Sequence, residues 1–61
     1  MLWYYIVNIL TEEYLDIWAF EPLSYIWTDD EFGVFMVNDE ELMLEAAHKI
    51  GDLAQVRIYE D

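Results

Sequence analysis

Leu2-Trp3-Tyr4-Tyr5-Ile6-Val7-Asn8-Ile9-Leu10 is apolar on both of the faces that a β-strand would present. Leu2, Tyr4 and Ile6 fall on one face, and Trp3, Tyr5, Val7 and Ile9 on the other. β-Branched and aromatic residues dominate the run and favour extended chain. Two apolar faces imply a central strand covered on both sides, or one covered by the core on one side and by a partner on the other. The run is too short to cross a bilayer. It carries neither a basic leader region nor a small-residue cleavage site, so it reads as part of the fold and not as a targeting segment.

Downstream, residues 11–20 admit two readings. Thr11 suits a helix N-cap with Glu12 and Glu13 in the first turn, and Leu10, Tyr14, Ile17 and Trp18 then follow helical spacing. Alternatively, residues 11–13 form a hairpin loop and 14–20 a strand. Tyr14, Asp16, Trp18 and Phe20 would then share one face, opposite Leu15, Ile17 and Ala19. The density of aromatic and β-branched residues favours the strand. Pro22 stops whichever element precedes it. Leu23 to Thr28 reads as a further strand with Tyr25 and Trp27 on one side. Asp29-Asp30-Glu31-Phe32-Gly33 is a turn, and Val34 to Val37 a short returning strand.

The helix signal is the sharpest in the chain. Asn38 is a good N-cap, with Asp39, Glu40 and Glu41 in the first turn, where the helix dipole favours negative charge. Glu41 stands at the third helical position, as in a capping box. Met43, Ala46, Ala47 and Ile50 form one apolar face flanked by Leu42. His48 and Lys49 occupy the last turn and Gly51 closes it. Residues 53–59 alternate as a final strand. The expected architecture is one domain over residues 1–61 in the α+β class: a small antiparallel sheet of four to five strands, in the order β-β-β-β-α-β, with one helix packed on it.

Composition narrows the function. A 61-residue chain has room for roughly 10–15 well-buried side chains. Yet 57% of its residues are apolar and 18% aromatic, so much of that set must lie at the surface or in an interface. Fourteen carboxylates oppose only Lys49 and Arg57, a formal net charge of −12. That balance disfavours direct contact with nucleic acid or an anionic membrane, and it exceeds the charge of about 2–8 that solubility asks of a small domain. The chain has no cysteine, which is compatible with a cytoplasmic location.

Catalytic and metal-binding chemistry find no footing. With so many acids, adjacent carboxylates are expected by chance, and a shaped pocket is hard to build at this size. Neither acidic triad has the alternating oxygen ligands and mid-loop glycine of a calcium loop. His48 reads as a solvated histidine at a helix C-terminus, Ser24 has no base, and Gly33 and Gly51 are too isolated to form a phosphate loop. No catalytic residue, metal ligand or cofactor is expected.

The acidic surface itself remains. A compact chain of this length is roughly 27 Å across, and duplex DNA of that length carries about 16 charges. In size, acidity and lack of a catalytic motif, the whole chain resembles the small inhibitors that phages encode against host defence or transcription proteins, among them anti-CRISPR and anti-restriction proteins. The resemblance implies a non-catalytic nucleic-acid mimic, acting in the host cytoplasm on a basic, nucleic-acid-binding host protein. Separately, Ile9-Leu10-Thr11-Glu12-Glu13 followed by Asp16-Ile17-Trp18-Ala19 resembles the first hairpin of small SH3-like barrels, from which the helix departs. The candidate partner-binding residues are Asp29, Asp30, Glu31, Asp39, Glu40 and Glu41 for charge, with Trp18 and Trp27 as apolar anchors. The rival expectation is a structural or homodimeric interaction module whose charge serves solubility alone.

Overall fold

The computed structural model describes all residues from Met1 to Asp61. Four strands, β1 (Leu2–Asn8), β2 (Tyr14–Phe20), β3 (Leu23–Thr28) and β4 (Ala54–Glu60), form one antiparallel sheet in the order β3-β2-β1-β4. A 3-10 turn, Glu31–Gly33, and one helix, α1 (Glu40–Ile50), connect β3 to β4. The α+β class and the single packed helix are as the sequence implies. The central position of β1 is as well, since it pairs with β4 from Leu2↔Glu60 to Asn8↔Ala54 and with β2 on its other side.

The β1–β2 pairing is short. Only Val7↔Tyr14 is in register, and beyond it the two strands diverge. Residues 34–37 enter this fork. The Val37 N–H donates to the Tyr4 carbonyl at 3.1 Å, the Tyr4 N–H to the Val37 carbonyl at 2.7 Å, and the Phe35 N–H to the Leu15 carbonyl at 3.1 Å. The fourth sequential strand expected at 34–37 is thus not a ladder strand but an extended wedge with one antiparallel bridge, Tyr4↔Val37. The physical reason is that the backbone groups on the facing edges of β1 and β2 need partners, and a four-residue segment supplies them without a ladder of its own.

The helix lies on one face of the sheet. Ile6, Leu15, Ile17, Met43 and Ala46 form the buried cluster, with Tyr4, Phe20, Trp27, Phe35, Val37 and Val56 packed around it. Phe20 and Phe35 meet edge-on at 5.7 Å, fastening the end of β2 to the wedge. Strict alternation would place Phe20 with Tyr14 and Asp16. A bulge between Ile17 and Ala19 inserts Trp18 as an extra residue without a partner on β3, and so turns Phe20 to the helix side. Only seven residues are buried, fewer than the roughly 10–15 that chain length allows. The second face of the sheet carries no helix or sheet layer.

Local chemistry ends each element. β1 stops at Asn8, two residues earlier than its apolar run implies. The buried Asn8 side chain accepts from the Leu10 N–H at 2.9 Å and the Thr11 N–H at 3.2 Å, fixing the turn into β2. Glu12 adopts a left-handed φ of 61° there. Glu21-Pro22, joined by a cis peptide bond, turns β2 into β3. The α1 N-cap is Asp39, not Asn38, and its carboxylate accepts from the Leu42 N–H at 3.1 Å. Leu42 therefore holds the third helical position and no capping box forms. Asp and Asn cap equally well, and the charged residue gains in addition from the helix dipole. At the other end Gly51, at φ 111°, donates to the Ala47 carbonyl. β4 begins one residue later than expected, at Ala54.

Two stability outcomes follow. Met43→Ala removes the centre of a five-residue cluster and is expected to cost about 2–5 kcal/mol. Its half-exposed neighbour Leu44→Ala costs less than about 0.5 kcal/mol. Urea titration followed by tryptophan fluorescence separates the two, and equal losses would mean that Met43 is not central. Asn8→Ala is expected to cost about 1–3 kcal/mol by leaving two turn amides without their acceptor. Hydrogen exchange at Leu10 and Thr11 should then accelerate more than at Val56.

Candidate protein-binding surface

The two acidic triads take part in the local structure before they face solvent. Asp30 caps the 3-10 turn, its carboxylate accepting from the Phe32 N–H at 2.9 Å, while its own N–H donates to the Thr28 hydroxyl at 3.1 Å. Gly33 follows because a Cβ there would meet the Thr28 methyl at 3.3 Å. Asp29, Asp30 and Glu31 are exposed at this corner, and Asp39, Glu40 and Glu41 at the start of α1. Residues 34–37 join the two triads along the chain, one at the 3-10 turn and the other at the helix start. No group of three His, Asp or Glu side chains is arranged to hold a metal ion.

The charge is uncompensated. All fourteen carboxylates except Glu13 and Asp16 are exposed. The only two basic side chains are already engaged. Arg57 donates to the Glu12 carboxylate at 3.3 Å and to the Gln55 side chain at 2.9 Å. Lys49 lies 3.9 Å from Glu45 and 4.0 Å from Glu21. These pairs are solvent-exposed, so each contributes little to stability.

The two tryptophans chosen from the sequence part company. Trp18, at the bulge, is 67% exposed. Trp27 sits opposite Leu15, packs on the helix-side cluster and meets Tyr25 edge-on at 6.0 Å. Trp18 is a surface group and Trp27 largely a core one.

Sequence reasoning missed the feature that the open face of the sheet carries. Tyr5 and Tyr14, with ring centroids 6.1 Å apart, line a groove of about 310 Å³ together with Val34, Met36, Tyr59, Phe32 and Glu31. Extended chain alternates its side chains. Phe35 and Val37 of the wedge therefore enter the core, while Val34 and Met36 face the groove. Phe32, at the lip, is 91% exposed. A phenylalanine in an Asp-Asp-Glu-Phe-Gly turn was a signal available in the sequence, because such turns rarely need a ring. A second hollow on the helix side is lined by Phe20, Glu21, Leu42, Glu45, Ala46 and Lys49, and the lysine already occupies its acidic rim.

No protein-family model, no curated protein and no solved structure matches the chain.

The crowding of like charge has a measurable consequence. The molecule measures 27 Å along its longest axis. The Debye length falls from about 30 Å at 0.01 M salt to about 8 Å at 0.15 M. Repulsion therefore acts across the whole domain at low salt and only between neighbours at the higher value, and Tm should rise over this range. A falling Tm would mean that the Lys49 and Arg57 ion pairs outweigh the repulsion.

Proposed function

We propose that this domain is a non-catalytic, cytoplasmic inhibitor that occupies the nucleic-acid-binding surface of a basic host protein. The observation that carries the reading is the exposure of large apolar side chains among carboxylates that no cation of the chain neutralises. Phe32 beside Asp29, Asp30 and Glu31 is the sharpest instance. Charge supplies long-range steering toward a positive surface, and the rings supply contact area once water is expelled. Self-association would bring together two bodies of net charge −12, which the same electrostatics opposes. For that reason the reading prefers a basic partner to a homodimer.

The test is capture from a host lysate on the immobilised domain, washed at rising salt and then with duplex DNA or RNA. Retained nucleic-acid-binding proteins should leave with the nucleic acid competitor, and their affinity should fall steeply with salt. Retention that ignores both salt and competitor overturns the proposal. A tight oligomer by light scattering, with no heterologous partner, favours the structural module instead.

A further inference from the structure

We propose that the open-face groove receives an arginine side chain from a basic segment of the partner, its guanidinium lying against the tyrosine rings and paired with Glu31. The inference rests on the basic-partner reading above and assigns it a site. Three observations carry it. The groove is walled by phenolic rings, with Tyr5 and Tyr14 in mutual contact and the half-exposed Tyr59 also in its lining. Glu31 is its one charged lining residue, and it takes part in no ion pair or side-chain hydrogen bond within the chain. Its volume of about 310 Å³ stands at the lower end of ligand pockets, near ~300 Å³. That accommodates one or two side chains but not a helix or strand.

Arginine meets all three conditions. Its planar guanidinium stacks on aromatic faces and forks onto a carboxylate, whereas the lysine ammonium is a compact, strongly hydrated point charge. An apolar side chain would fill the space and leave Glu31 without a role. A second copy of this chain is a poor donor. Its single arginine, Arg57, is held by Glu12 and Gln55, and its lysine lies over the helix-side hollow.

The experiment uses the intact domain and three synthetic peptides of one length: alternating arginine and glycine, its lysine counterpart of equal charge, and its uncharged citrulline counterpart. Calorimetry measures affinity, and amide shifts at Tyr5, Tyr14, Phe32 and Tyr59 report the location. The arginine peptide should bind at least about fivefold more tightly than the lysine peptide. Glu31→Gln combined with Tyr59→Ser should weaken it about tenfold, and Glu31→Gln alone about threefold. Asp52→Asn combined with Leu44→Ser, which removes the same charge at exposed positions outside the groove lining, should change it less than about twofold. If arginine and lysine peptides bind equally and both double variants lose alike, the acids act as a diffuse field. The groove inference then falls while the basic-partner reading stands. If neither charged peptide binds at low salt, both fall. If the free domain proves dimeric by sedimentation and Tyr59→Ser makes it monomeric, the groove belongs to a second copy and the inference is overturned.

Discussion

Backbone groups in the fork between β1 and β2 have to be satisfied, and nearly everything else in the molecule depends on how that is done. After Val7↔Tyr14 the two central strands part, which would leave the amide and carbonyl of Tyr4 and the carbonyl of Leu15 without strand partners. Water cannot serve them beneath a packed helix, so a protein segment must. The extended chain at 34–37 does so through Val37 and Phe35. Because its side chains alternate, the same four residues put Phe35 and Val37 into the core and Val34 and Met36 onto the other face. Closing the core and building the groove are one structural event, so a substitution that loosens the wedge affects both.

That coupling matters in a domain whose buried cluster has five members. A core so small leaves a narrow margin, and the acidic surface narrows it further. Several carboxylates offset this by local work: Asp30 and Asp39 cap, Glu12 holds Arg57, and Glu45 and Glu21 flank Lys49. Others, including Asp29, Glu31, Asp52 and Glu60, have no such task. Their presence lowers stability without a return inside the fold, and it is this surplus, more than the total, on which the proposed basic-partner reading rests.

How much of this was legible in the sequence depended on whether the deciding contact was local. The apolar face of α1 was legible because Met43, Ala46, Ala47 and Ile50 repeat at helical spacing, and its end because Gly51 follows. Its start was displaced by one residue, since Asn38 and Asp39 are equally plausible caps until the Leu42 amide shows which is used. The strand 14–20 was legible from its aromatic density, and β3 from the alternation that pairs Tyr25 with Trp27. The bulge was not: period-two reasoning treats Trp18 and Phe20 as neighbours on one face, and one inserted residue separates them. The wedge was not legible either. Val34-Phe35-Met36-Val37 looks like any short strand, and what makes it an insertion is the divergence of two strands remote in sequence. The groove inherits that obscurity, for its wall comes from β1, β2, the turn, the wedge and β4. The acidic triads could be read as residues, but not that one aspartate of each would cap a local turn or helix.

The placement of the acids at turns, caps and a helix face bears on what imitation of nucleic acid would require. Over its 27 Å length the domain carries −12, against about 16 charges on duplex DNA of equal length. The total field is therefore of the right order. Its arrangement is not a ladder: the charges sit at turns, caps and a helix face, at spacings fixed by the fold and not by a phosphate repeat. A partner evolved to track evenly spaced phosphates would be attracted to such a surface yet find no register on it. Register has to come from a feature that occurs once. On the open face the groove lined by Tyr5, Tyr14, Tyr59 and Glu31 is such a feature, and under the proposed reading the field would supply encounter rate and the groove fit.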